Sequence, residues 1–254
     1  MTSPRIEVFD DAAALARSVA GELLAKLDAA QADGSAPHIG LTGGSIADRV
    51  HADLGETGPS SDVDWGRVVV WWGDERFVAR DSDERNATGA RRSFVDRVGV
   101  PADHVHEVPA TDAAPSVADA AAAYEQELRE HGAGQFEVLM LGVGPDGHCA
   151  SLFPGHPALD VDDRVAVAVT DSPKPLPERV SLTFAALNRS RAVWFVASGA
   201  EKAEAVARAL APEGSPGATV HETPARGVTG SPAIPDSPAT EVVFFLDRPA
   251  ASRL

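Results

Sequence analysis

Four stretches hold the side chains best suited to chemistry. In Gly142-Val143-Gly144-Pro145-Asp146-Gly147-His148 an imidazole follows a glycine-rich break, with a carboxylate two residues before it. Imidazole exchanges protons readily near neutral pH, so His148 is the candidate general base. Asp146 is placed to orient that ring or to stabilise its charged form. Thr42-Gly43-Gly44-Ser45 joins hydroxyls to glycines, a turn whose backbone N–H groups let an anion approach closely. Gly73-Asp74-Glu75-Arg76 supplies two acids and a guanidinium, and arginine binds phosphate bidentately. Lys174, Arg179 and Lys202 add further cations. Each stretch also has an ordinary explanation: a packed loop histidine, a tight turn with Ser45 as N-cap, a local ion pair, solvated surface charge. Cations recurring after strands in an acidic chain make the group more informative than its members.

Other chemistries fit poorly. Gly142, Gly144 and Gly147 spell G-x-G-x-x-G, and Asp171 lies at a plausible spacing for a ribose-binding acid. A dinucleotide site, however, needs a long helix after the third glycine, and Pro154, Gly155 and Pro157 interrupt it. Asp146 would also face the pyrophosphate. The Thr42–Ser45 turn lacks the lysine of a Walker loop, which disfavours nucleoside triphosphates. The pairs His104/His106 and His148/His156 lack metal-ligand spacing, and no G-x-S-x-G elbow occurs. No metal and no cofactor are expected. A hydrolase on this sequence would use water, with a histidine base.

The elements that must position these residues alternate between strand and helix. Strands are expected at Ile6–Phe9, His38–Leu41, Val68–Trp72, Val138–Leu141, Arg164–Thr170, Ala192–Ala197 and Glu241–Asp247, each a short apolar run. Helical spacing covers Asp10–Ala29, Ser45 through Leu54, Asp83–Val98, Ser116–His131 and Ala200–Leu210. Val180–Leu187 reads either way. Pro212–Pro238, rich in proline and glycine, reads as an irregular excursion. Strands separated by helices imply an α/β chain: one domain over 1–254, a doubly wound, mostly parallel sheet with helices on both faces. Such sheets bind ligands at the carboxyl ends of their strands, where all four stretches fall.

Composition narrows the partners. The 254 residues carry a net charge of −16, which argues against nucleic acid and anionic membranes. No apolar run approaches bilayer length, and MTSPRIEVFDD lacks a signal-peptide pattern. The single cysteine, Cys149, excludes an internal disulfide and suits a reducing compartment, so a cytoplasmic location is expected. An anionic substrate would require local cations that overcome the acidic background.

These residues resemble a known family. LTGGS at Leu41–Ser45, WWGDERFV at Trp71–Val78 and LGVGPDGHCASLFPG at Leu141–Gly155 are similar to 6-phosphogluconolactonases. So are PERVSLTFAALNRSRAVWFVASGAEKAEAV at Pro177–Val206 and, more loosely, TPARGV at Thr223–Val228. That family sits in the larger group with glucosamine-6-phosphate deaminases and shares their Rossmann-like fold. Ile46-Ala47, Ala79, Arg85 (in Arg85-Asn86, where Ser-Asn is usual) and Cys149 depart from its common pattern without removing an obvious chemical group. The resemblance implies a carboxylic ester hydrolase of the pentose phosphate pathway, acting on 6-phospho-D-glucono-1,5-lactone. It implies His148 as catalytic base with Asp146 beside it, and Thr42, Gly43, Gly44 and Ser45 around the phosphate. Arg76, Arg179 and Lys202 would face phosphate or carbonyl, and Asp74 would bind a sugar hydroxyl. Backbone N–H groups of Gly142–Gly147, or a basic side chain, would stabilise the oxyanion. The expected partner is a phosphorylated sugar lactone, with no nucleic acid and no membrane, and with a monomer favoured over a dimer. Two alternatives stand: a sugar-phosphate deaminase or isomerase using Asp74 as base, and a non-enzymatic sugar-phosphate sensor.

Overall fold

Most of the short apolar runs become strands buried on both faces, whereas the first, Arg5–Phe9, is largely exposed. The computed structural model describes residues 3–231 and 239–254. In chain order the strands are β1 (Arg5–Phe9), β2 (His38–Leu41), β3 (Val69–Trp72), β4 (Asp74–Arg76), β5 (Phe136–Gly142), β6 (Ala166–Val169), β7 (Arg179–Leu182), β8 (Ser190–Ala197) and β9 (Glu241–Asp247). Six of them form a parallel sheet in the order β1-β9-β8-β5-β2-β3. The helices are α1 (Ala12–Ala32), α2 (Ser45–Thr57), α3 (Asn86–Ala90), α4 (Asp96–Val98), α5 (Val117–His131), α6 (Phe184–Leu187) and α7 (Ala203–Leu210).

Alternation along β5 builds two cores. Val138 and Met140 face a cluster with Leu15 and Leu23 of α1, Val50 of α2 and Phe94. Leu139 and Leu141 face the opposite cluster, with Val117 and Tyr124 of α5 and Val206 of α7. Burying each such leucine contributes about 1.5–3 kcal/mol, and the parallel sheet is sandwiched accordingly. The doubly wound architecture expected from the sequence is therefore present.

Three features differ from the sequence-based expectation. The run Arg164–Thr170 does not join the main sheet; β6, β7 and β4 form a separate antiparallel sheet in the order β4-β7-β6. Chain direction explains this, because β3 runs into Gly73, whose N–H still bonds Leu41 while its carbonyl accepts from Leu182. The backbone there leaves one ladder and enters the next. The ambiguous Val180–Leu187 divides into β7 and the short α6. The helix expected over Asp83–Val98 starts only at Asn86, and a π-helical turn, Arg91–Val95, lies between α3 and α4. Within Pro212–Pro238, the described part holds a short 3₁₀ turn, Pro224–Gly227; residues 232–238 lie outside the described residues.

Candidate active site

The carboxyl ends of β2, β5 and β8 open on one cleft of about 180 Å³. Thr42, Gly43, Gly44 and Ser45 enter from the end of β2, Asp74 and Arg76 from β4, and His148 from the loop after β5. Arg179 enters from β7 and Lys202 from the turn after β8. The predicted residues therefore meet, although they are scattered over 160 positions between Thr42 and Lys202. Asp146 is not part of the wall but touches His148 from behind. A larger cleft, about 370 Å³, lies at the amino ends of β2, β5 and β8, lined by His38, Trp71, Arg129 and Arg189; none of the predicted residues reaches it.

The loop after β5 is built to present one imidazole. Gly144 donates its N–H to the carbonyl of His148 (2.8 Å), and Gly147 donates to Gly144 (2.9 Å). These bonds fold the loop back on itself and also commit two of the amides expected to serve an oxyanion. Gly147 has φ +95°, and a Cβ there would sit 3.0 Å from Thr223, which a glycine avoids. A Cβ on Gly144 would lie 2.0 Å from Nδ1 of His148, so the ring depends on that glycine too. Nδ1 of His148 lies 2.5 Å from Oδ1 of Asp146. Burial works against charge on Asp146, yet the His148 hydrogen bond, the His148 charge and Lys174 hold its carboxyl well below the usual range. Lys174 Nζ lies 3.7 Å from Asp146 Oδ2. An ionised carboxylate only accepts, so Nδ1 carries a proton and, whenever the ring is neutral, Nε2 keeps its lone pair. Phe153 packs against the ring at 4.6 Å between centroids.

The remaining wall favours an anion. The N-cap of α2 is Gly44, at φ +101° and with no side-chain cap, rather than Ser45, which is the first helical residue. The first amides of α2 are thus free of any side-chain acceptor, at the positive end of the helix dipole. Antiparallel register sets Arg76 of β4 opposite Arg179 of β7, a like-charge pair that would repel in isolation. Arg179 is 7% exposed, donates to the carbonyls of Leu176 (3.1 Å) and Pro175 (2.8 Å), and lies over the Phe153 ring. Burial pushes its pKa down, with Asp74 opposing. Burial also lowers the Lys202 ammonium from its ordinary value, with Glu201 opposing. Lys202 has no ion-pair partner within 4 Å among the described residues.

Alternation along β4 sorts the acids. Asp74 and Arg76 point to the cleft, whereas Glu75, fully buried, points away toward α3. Asp74 accepts from the hydroxyl of the fully buried Ser151 at 2.6 Å. Burial pushes the Glu75 carboxyl up to about 7, opposed by Arg85 and by three backbone amides. Asn86 also lines the cleft and was not among the predicted site residues. Its sequence signal is that it keeps the asparagine of the family's usual Ser-Asn pair, in which only Arg85 departs. Ala150, at φ +48°, lines the cleft just beyond His148. Among the described residues no three His, Cys, Asp or Glu side chains gather as a metal-binding set.

Comparison with known proteins decides the family. Residues 10–234 match the family described as glucosamine-6-phosphate isomerases/6-phosphogluconolactonase. The chain belongs to this isomerase/lactonase family. Within it, the chain is 39% identical to a 6-phosphogluconolactonase of Streptomyces coelicolor, over 99% of this chain and 95% of the relative. It is 38% identical to the 6-phosphogluconolactonase of Mycobacterium tuberculosis, over 99% of both. The structure of 6-phosphogluconolactonase from Trypanosoma brucei superposes with TM-score 0.81 at 28% identity, covering 100% of both chains. A monomeric glucosamine-6-phosphate deaminase shares the fold, with TM-score 0.79 at 17% identity over 98% of this chain and 100% of that one. The family resemblance and the α/β fold read from the sequence both hold.

Proposed function

We propose that this protein hydrolyses 6-phospho-D-glucono-1,5-lactone to 6-phospho-D-gluconate, with His148 as the general base. One observation carries this conclusion: a histidine with a free Nε2 shares a sugar-sized cleft with uncapped helix amides and three cations. The substrate phosphate binds at the start of α2, with Lys202 and Arg179 supplying charge. Anchoring one end of the sugar presents the ring carbonyl to His148 by proximity. Nε2 takes a proton from water as the water oxygen attacks C1, and the carbonyl oxygen becomes an oxyanion. With two loop amides already engaged, Arg76 is the group to stabilise that charge. Collapse breaks the bond from C1 to the ring oxygen, which leaves with the proton held on Nε2. Asp146 keeps the imidazolium in register throughout.

The protein works as a single-domain monomer in the cytoplasm, without metal or cofactor. A lone, buried Cys149, whose thiol burial pushes upward in pKa, suits a reducing compartment. No helix among the described residues is long and apolar enough to cross a membrane.

A deaminase has one observation in its favour, because Asp74 lines the same cleft. Its oxygen is engaged by Ser151, which suits a hydroxyl-binding acid better than a mobile base. The deciding experiment is a lactone-hydrolysis assay, corrected for spontaneous opening, on wild type and His148→Ala. General-base loss should lower kcat by roughly 10²–10⁴-fold while binding persists. Full turnover by His148→Ala refutes the base assignment; ammonia release from glucosamine 6-phosphate without lactone turnover installs the rival.

A further inference from the structure

We propose that Asn86, held in place by the buried carboxylate of Glu75, is a positioning residue that aims Arg76 into the cleft and seats the Gly43 turn. The inference rests on the lactonase reading above and deepens it, because it names what fixes the anion-binding half of the site.

The chain of contacts starts at a cap supplied from another element. Helix α3 begins with Arg85 as its N-cap and has no side-chain cap of its own. Glu75, one strand away, takes that place: Oε1 accepts from the N–H of Asn86 (2.8 Å) and Oε2 from the N–H of Ala87 (2.8 Å). Oε1 also accepts from the N–H of Arg76 (2.9 Å), so one carboxylate holds both ends of the Arg76–Asn86 contact. Because Glu75 is fully buried, water does not compete for these bonds.

Asn86 then spends both halves of its amide on neighbouring site residues. Nδ2 donates to the backbone carbonyl of Asp74 (3.0 Å), and Oδ1 accepts from Nη1 of Arg76 (2.9 Å). The two partners, a carbonyl and a guanidinium, fix which way the amide points. The same Nη1 donates to the carbonyl of Glu84 (2.7 Å), which limits the swing of a long, flexible side chain. On its far side Asn86 abuts the phosphate turn: a Cβ on Gly43 would lie 1.9 Å from Oδ1 and 2.4 Å from Cγ. One small amide therefore sets the spacing between Gly43, Asp74 and Arg76, three groups on two different strand ends. Displacing catalytic groups by about 1 Å costs on the order of 10²-fold in rate.

Two double-variant cycles on the full-length protein test this, read as kcat/KM for the lactone with thermal midpoints alongside. Asn86→Ala should lose roughly tenfold or more, the scale of one charge-assisted hydrogen bond. Arg76→Ala should lose at least as much, and the double variant clearly less than the product of the two single losses, since part of the Asn86 effect runs through that guanidinium. Gly43→Ala should be severely impaired alone but return to the level of Asn86→Ala once the clashing amide is removed. The pH profile of kcat/KM in Asn86→Ala should keep its wild-type shape, because His148 and Asp146 are untouched and the backbone N–H at position 86 still bonds Glu75. If Asn86→Ala does not fold, Asn86→Ser carries the same cycles. Additive losses in the Arg76 cycle, or a Gly43→Ala defect that Asn86→Ala fails to relieve, overturn the inference while leaving lactone hydrolysis intact. Absence of lactone turnover in wild type sinks the lactonase reading itself.

Discussion

A histidine is a base only through the nitrogen that lacks a proton, and here Asp146 decides which nitrogen that is. Its carboxyl stays ionised far below neutral pH, so across the working range it accepts the Nδ1 proton and never offers one. Asparagine has nearly the same shape but can turn an N–H toward Nδ1, which moves the ring proton to Nε2 and removes the base. Asp146→Asn should therefore lower kcat by about 10²-fold or more, with KM changed far less. A small kcat effect would show that ring orientation, not tautomer, is what Asp146 supplies. Across the cleft the roles separate differently. Lys202 lacks an ion-pair partner among the described residues, and Arg179 is tethered to loop carbonyls. Lys202→Ala and Arg179→Ala should mainly raise KM, by roughly tenfold for one charge-assisted bond lost. Unchanged KM removes either residue from the phosphate site.

At the scale of elements, α2 does two jobs that pull against each other. Its N-terminus is left uncapped toward the cleft, while its buried face carries His51, 1% exposed, stacked on Phe94 at 6.1 Å. Neither ring nitrogen of His51 has a hydrogen-bond partner among the described residues, and burial lowers its pKa to about 4. The folded state thus resists a proton that the unfolded chain accepts below about 6.5, so stability falls as pH drops from about 6.5 to 4. That gap corresponds to roughly 3 kcal/mol. His51→Leu should raise the unfolding midpoint at pH 7, by removing unsatisfied polar atoms, and should flatten the decline on the acid side. An unchanged acid limb would assign the decline to other groups, such as His38, whose pKa burial also lowers to about 4. How much of this was legible beforehand depended on range. β2, β3, β5, β8 and β9 were readable as apolar runs, and His148 as a residue at a strand tip. The start of α3 was not, because Glu75 caps it from β4 rather than from the adjoining residues. The antiparallel sheet was hidden for a similar reason: β6 is as apolar as the parallel strands, and only the turn at Gly73 redirects the partner. The role of Asn86 is not legible locally, because an asparagine at a helix start reads as a turn residue, while its partners lie on β4 and beside α2.

Taken as a whole, the molecule sets an acidic surface against a basic cleft, and salt should tell them apart. A net charge of −16 repels a phosphorylated sugar at long range. Arg76, Arg179 and Lys202, which line the cleft, would attract it only there. At about 10 mM salt the screening length is roughly 30 Å, comparable with the protein's diameter, so an approaching dianion senses the whole acidic surface. At about 150 mM it is roughly 8 Å, and only charges near the cleft mouth still act. Short contacts inside the cleft are screened far less than the distant acids. Raising sodium chloride from 10 to 150 mM at fixed pH should therefore increase kcat/KM for the phosphorylated lactone, contrary to the usual loss of anion binding with salt. Turnover of the same lactone without its phosphate should stay nearly flat, because neither field acts on a neutral ring. A monotonic fall for the phosphorylated substrate would mean that the cleft cations project beyond their walls and dominate the approach. In that case the acidic surface has no part in setting substrate affinity.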